Sequence, residues 1–278
     1  MQASVIELVA FTPDHLDGAL ALSRQAGWPH RREDWALMLA LSTGVAAQEG
    51  GRVVGTTLVT RYGEDAATIN MVIVDEAMRG RGIGRRLMEF GLKESEGREC
   101  RLVATSDGLP LYAKLGFRET GGILQHQGTL EPAQLPSDVE WATRDDMAQC
   151  IAMDRTASGL DRTALLSLLF EGGRVAVLRR GGRAIGFAAL RTFGRGKVAG
   201  PVVAANAGEA RNLLSFLFAA CPGEFLRVDT TSASGLSPWL AAQGLAHVGG
   251  GIAMQRGGTA PAEGQPFRTF ALASQALG

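Results

Sequence analysis

The 278-residue chain has only 3 cysteines and 4 histidines. Cys100, Cys150 and Cys221 are odd in number, widely spaced and set in apolar or helical contexts. That pattern excludes a disulfide framework and reads as reduced thiols in a cytoplasmic protein, and so few histidines leave no zinc spacing, so no metal is expected. Net charge is missing too: 28 Lys and Arg balance 28 Asp and Glu. A formal charge of zero argues against a general nucleic-acid binder, which would carry a basic surface. Long apolar runs are absent. The longest, around residues 213–221, is broken by Ser215 and falls far short of the ~20 residues a membrane span needs. Acidic Glu7 and Asp14 stand where a secretory leader would be basic, so neither a leader nor a membrane segment is expected.

What the chain does have is length enough for two domains, since single domains commonly run to about 100–200 residues, and one stretch around which the rest is organised. Residues 71–90 read MVIVDEAMRGRGIGRRLMEF. A short apolar run from Met71 to Val74 precedes a basic, glycine-rich turn from Arg79 to Gly84. Ile83, Leu87, Phe90 and Gly91 then recur at helical spacing. The order is strand, loop, helix. Glycines at 80, 82 and 84 let backbone come close to a ligand, and N–H groups at a helix start, where the dipole is positive, make an anion site. Arg79, Arg81, Arg85 and Arg86 surround that turn, and guanidinium groups match phosphate oxygens in pairs. The ligand this pattern fits is a pyrophosphate.

Two common pyrophosphate motifs do not fit. A dinucleotide fold wants G-x-G-x-x-G near the first strand, but Arg85 stands where the third glycine belongs and no carboxylate closes a strand about 20 residues on. A P-loop needs G-K-[ST], and here the residues are Gly84-Arg85-Arg86. The stretch instead resembles motif A of the GNAT superfamily of acyl-CoA-dependent N-acetyltransferases, [QR]-x-x-G-x-[GA], with Arg79, Gly82 and Gly84 at the fixed positions. Downstream, Leu111-Tyr112-Ala113-Lys114-Leu115-Gly116-Phe117 is similar to that family's L-Y-x-K-L-G-F segment.

Along the chain, the first strand is read at residues 4–10. Thr12-Pro13-Asp14 then starts a helix that Gly27 stops, and a second helix runs over residues 33–41. Strands at residues 45–48 and 52–60 meet at a Glu49-Gly50-Gly51 turn, and residues 67–74 lead into the phosphate loop. The motif helix is expected to carry a Glu89 to Lys93 pair. A strand at residues 101–105 precedes the helix of Tyr112. Pro132, Pro136 and Ser137 place a boundary within residues 129–138, giving domains 1–130 and 131–278. The second half repeats the first. Gly51-Arg-Val-Val-Gly55 matches Gly182-Arg-Ala-Ile-Gly186, Gly116 matches Gly244, and residues 123–128 match 252–257. The repeat decays where the chemistry lies. Opposite the arginine-glycine loop stand only residues 205–211, shorter, with one glycine and an added Glu209, and opposite Tyr112 stands Leu240. One active and one degenerate domain are expected. Residues 267–272 read as a strand or helix docked back on the body.

The resemblance implies an α/β fold of two tandem GNAT-like domains, each a mixed twisted sheet flanked by helices, the acyl-CoA N-acyltransferase fold. It also implies acetyl-CoA as donor and a small-molecule or peptide amine as acceptor. Val72, Ile73 and Val74 would pair through their backbone with the donor's pantetheine arm, and an N–H there would polarise the thioester carbonyl. Arg79, Gly80, Arg81, Gly82, Ile83, Gly84 and Arg85 would hold its pyrophosphate. Tyr112, with an ordinary phenol pKa of about 10, would protonate the leaving thiolate. By the same analogy Trp28, His30 and Trp35 are candidates for acceptor contact, against ordinary packing roles. No single general base stands out among Glu64, Asp65, Asp107 and His30, and relay through water is equally open. A rival from another class is a non-catalytic acyl-CoA sensor or assembly module. A pair of like domains in one chain would replace a dimer, so a monomer is expected.

Overall fold

The structure is a computed structural model and describes residues 5–130, 135–258 and 264–278. By packing the chain divides into two compact units, one of residues 1–102 with 255–258 and the other of residues 103–254 with 259–278.

The first unit contains β1 (Ile6–Ala10), α1 (Leu16–Gln25), α2 (Arg32–Leu41), β2 (Thr43–Glu49), β3 (Arg52–Tyr62), β4 (Ala66–Val74), α3 (Ile83–Glu94) and most of β5 (Glu99–Ala104). Its strands lie in chain order, antiparallel from β1 to β4 and then parallel between β4 and β5. The expected Thr12–Pro13 start is present: Thr12 bonds His15 (3.0 Å) across a 3-10 turn, and α1 continues from it. α3 supplies Ile83 and Leu87 to a core with Val45, Ala47, Val54 and Met78. Gly91 of α3 lies so close to β4 that a Cβ there would sit 2.9 Å from Ile69, so the absence of a side chain sets how near the helix approaches. On the other face of β3, Gly18 of α1 rests on Val53. Glu89 pairs with Arg85 (2.9 Å), one turn before it, and not with the expected Lys93, one turn after it.

The second unit contains α4 (Leu109–Lys114), β6 (Arg118–Thr129), β7 (Val139–Trp141), α5 (Met147–Ser158), α6 (Thr163–Gly172), β8 (Arg174–Arg180), β9 (Arg183–Phe193), β10 (Gly196–Ala204), α7 (Ala207–Ala219), β11 (Phe225–Thr231), α8 (Ser237–Ala242), β12 (Ala246–Arg256) and β13 (Arg268–Ala271). Its strand order is β12-β6-β11-β13-β10-β9-β8-β7. The core lies between this sheet and α7, with Leu213, Leu214, Leu217 and Phe218 against Ala188, Leu190, Val202 and Leu226.

The repeat boundary and the packing division measure different things. β6 precedes the proline-rich stretch in sequence, yet it pairs antiparallel with β11 over seven positions, from Phe225↔Thr129 to Thr231↔Ile123. Conversely residues 255–258, at the end of β12, belong with the first unit. Residues 131–134 of the expected boundary lie outside the described residues.

Candidate active site

The glycine-arginine loop is built from both its ends. At the end of β4, Asp75 accepts from Ala77 N (2.9 Å) and closes a 3-10 turn whose Met78 is buried. The Arg52 guanidinium, hydrogen-bonded to Asp75, holds that carboxyl below the usual carboxylate range. A depressed folded pKa means that this anchor contributes stability above the unfolded value of about 3.9 and loses it as pH falls through the folded one. Gly80 (φ 77°) and Gly82 (φ 76°) are both left-handed, a conformation that favours glycine, and a Cβ on either would meet nothing within 4 Å.

α3 then begins at Ile83 with no side-chain cap on its first turn. Its leading N–H groups therefore face outward at the positive end of the helix dipole, the arrangement that binds anions. Arg81 rests on Glu49 (3.0 Å), Arg85 on Glu89 (2.9 Å), and Arg86 donates to the Ile6 carbonyl (3.1 Å). Two of these are exposed ion pairs, which contribute little and can exchange for a phosphate partner.

β4 carries a feature the sequence reading missed. Met71 has φ 51°, outside the usual range for a side-chain-bearing residue, and Met71 and Val72 together oppose Thr57, since Thr56 pairs with Ile73 and Leu58 with Asn70. Thr56 Oγ1 donates to the Met71 carbonyl (2.7 Å) and fixes the bulge. The parallel ladder with β5 covers only Ala66↔Glu99, Ala67↔Cys100 and Thr68↔Arg101. A bulge bends its strand and locally disrupts the ladder; here β4 stays paired with β3 at Ile73 and Val74, while the ladder with β5 does not reach Val72, Ile73 and Val74. An apolar run such as MVIV carries no local signal for this.

Tyr112 lies in α4 and is 8% exposed. Its ring meets Phe117 edge-on at 6.2 Å, and its carbonyl accepts from Phe117 N (3.1 Å). A Cβ on Gly108 would sit 2.6 Å from the ring, so that glycine makes the ring's space. Burial pushes the phenol up to about 12.

The other candidates separate. Trp35 is 0% exposed and donates to Ser23 Oγ (2.9 Å), so it is a packing residue and not an acceptor contact. Trp28 and His30 lie ring against ring at 5.7 Å. The Glu64 side chain, 94% exposed, pairs with Arg98 (3.0 Å), a solvated hairpin carboxylate, and Asp65 and Asp107 are exposed as well.

At the corresponding helix start in the second half, the chain satisfies itself. Asn206 Oδ1 accepts from Glu209 N (3.0 Å) and Glu209 Oε2 from Ala205 N (3.1 Å). The carboxylate stands where an anion would bind to α7. Leu240, opposite Tyr112 in the repeat, is fully buried.

Two family models, each described as an acetyltransferase (GNAT) domain, match residues 41–119 and 150–266. The chain belongs to the GNAT acetyltransferases. As a tandem GNAT protein it is 28% identical over 236 residues to the uncharacterized N-acetyltransferase YitH of Bacillus subtilis, covering 82% of this chain and 83% of that one. It is 25% identical over 236 residues to the holothin acyltransferase of a Pseudoalteromonas species, covering 81% and 78%. Its fold follows that of a protein from Pyrococcus horikoshii with an acetyltransferase designation, at TM-score 0.82 and 20% identity over 100% of this chain and 98% of that one. A GCN5-related N-acetyltransferase of Sphaerobacter thermophilus aligns at TM-score 0.63 and 16% identity over 91% and 97%.

In this GNAT protein Cys100, Cys150 and Cys221 are free and buried, and burial raises each thiol, Cys150 to about 12. Among the described residues no helix is long and apolar enough to cross a membrane, and no group of three or more His, Cys, Asp or Glu is placed to hold a metal.

Proposed function

We propose that the chain is an N-acetyltransferase that moves the acetyl group of acetyl-CoA to a primary amine by direct attack, with the working site built from residues 1–130 and a degenerate second domain in residues 131–278. The observation that carries this reading is the contrast between the two helix starts. α3 has left-handed glycines, arginines and an uncapped first turn, whereas α7 is closed by its own Asn206 and Glu209. One can take a pyrophosphate and the other cannot.

In this mechanism Arg79, Gly80, Arg81, Gly82, Ile83, Gly84 and Arg85 bind the donor's pyrophosphate, which makes the transfer an oriented, nearly unimolecular step. The backbone of Val72, Ile73 and Val74, on the edge of β4 that the ladder with β5 does not reach, aligns the donor's amide arm, and an N–H there polarises the thioester carbonyl. Tyr112 donates its proton to the sulfur as the bond to the acyl carbon breaks. The attacking amine gives up its proton through water. The acceptor is a small-molecule or peptide amine, and the protein works as a cytoplasmic monomer with no metal.

The test is Tyr112→Phe. We expect kcat to fall by roughly 100-fold or more, the contribution of a general acid, with donor Kd little changed. An unchanged kcat would return Tyr112 to the core. Because burial holds its phenol at about 12, Tyr112 keeps its proton over the working range. The kcat profile should therefore show no fall due to Tyr112 between neutral pH and about pH 10, the ordinary phenol value. A basic limb well below that, lost in Tyr112→Phe, would contradict the assignment. Turnover separates the enzyme from an acyl-CoA sensor: pure protein that binds acetyl-CoA yet frees no coenzyme A thiol with any member of a broad amine panel would be the sensor.

A further inference from the structure

The two halves treat the same place in the sheet differently. In the first half the parallel β4–β5 ladder stops after three pairs, and the bulged remainder of β4, residues 69–74, stays paired with β3 on one edge while the ladder with β5 on the other does not reach it. In the second half the parallel β10–β11 ladder is shorter still, Lys197↔Leu226 and Val198↔Arg227, and β10 is bulged against β9 between Ala199 and Val202, one residue from the counterpart position. Here the opening between the strands is filled. β13 enters it antiparallel to β10, with Val202↔Ala271, Val203↔Thr269 and Ala204↔Arg268, and meets β11 at Thr230↔Ala271.

Several bonds fix the insert. Thr230 Oγ1 donates to the Phe270 carbonyl (2.6 Å), Leu272 N donates to the Asp229 carbonyl (2.8 Å), and Gln275 Nε2 donates to Asp229 Oδ1 (3.0 Å). Phe270 is 1% exposed and joins the main core of the unit. At the bulge, a Cβ on Gly200 would collide with the Leu272 carbonyl oxygen. The glycine there lets the inserted strand lie flat against β10.

The amide arm of an acyl-CoA is an extended chain with two peptide-like groups, so the edge of a bulged strand can bond it as it would bond another strand. We propose that residues 268–272 are an internal stand-in for that arm, which closes the second half's cleft to any donor. This rests on reading β4 as the donor-arm strand of the first half. The second half has thus lost donor binding twice over, by a self-capped helix start and by a strand seated in the slot.

The experiment uses a chain ending at residue 263, carrying Gly82→Asp so that the first-half loop is disabled, and a labelled peptide of residues 264–278. The peptide should bind this chain at one per chain and leave the full chain untouched. Free pantetheine, which has no nucleotide and so needs no phosphate loop, should displace it. A peptide that rebinds but resists displacement by pantetheine at its solubility limit would overturn the proposal. If the shortened chain does not fold, hydrogen exchange on the full chain decides. Saturating coenzyme A should slow exchange in β4 and leave Val202, Val203, Ala204, Thr269 and Phe270 unchanged, and a change at those amides would show a donor entering the second cleft and overturn the proposal. A full chain that binds no coenzyme A at all would instead remove the reading of the first half on which it rests.

Discussion

Gly82→Asp should abolish acetyl-CoA binding, with Kd raised at least 100-fold. Gly82 adopts φ 76°, and a Cβ there meets nothing within 4 Å. Aspartate is among the few residues that tolerate the left-handed region, so the fold should survive the change. Its carboxylate would stand at the uncapped start of α3, where it repels phosphate and occupies the donors meant for it. Charge-assisted hydrogen bonds contribute about 1.5–3 kcal/mol each, so losing two already exceeds the roughly 2.7 kcal/mol of a 100-fold change. Gly208→Ala is the control. Gly208 lies in the first turn of α7, already closed by Asn206 and Glu209, and donor affinity should not move. Circular dichroism of Gly82→Asp should match the parent, and a folded variant that binds acetyl-CoA normally would remove the loop from the site.

The second large effect is expected on truncation. A chain of residues 1–130 contains every residue assigned to the donor and the acid, yet β6 would lose all seven of its positions on β11, and Leu130 would lose the core it is buried in. An unpaired twelve-residue strand is an aggregation edge. The fragment should be insoluble or lack a cooperative unfolding transition, with activity lost altogether. Differential scanning calorimetry beside an amine panel checks this. A soluble fragment with a sharp transition and full activity would show that the second half takes no part in folding or acceptor choice.

The glycine-arginine loop, its flanking strand and helix, the short helix of Tyr112 and the internal repeat were legible in the sequence because each is written locally, in periodicity or a short motif. Thr12-Pro13 marked a helix start and Gly27 its end in the same way. The Met71 bulge was not legible, since MVIV reads as any apolar strand and its strained φ follows from pairing with β3. Strand partners are likewise a tertiary matter. The alternation in β6 says that it pairs but not with what, and the proline-rich stretch after it marks where the repeat restarts, not where contacts divide. Residues 267–272 fit a strand or a helix because six residues cannot separate the two periods, and only the opening between β10 and β11 decides for a strand. Trp35 shows the opposite failure: a tryptophan near a loop looks like a ligand contact until its N–H is seen bonded to Ser23 in the core.

Calorimetric titration of acetyl-CoA into the full chain tests the one-site claim most directly. One donor should bind per chain, with the heat lost in Gly82→Asp and kept in Gly208→Ala, whereas two equal sites per chain, or a single site that survives Gly82→Asp, would show that the first-half loop is not the one donor site.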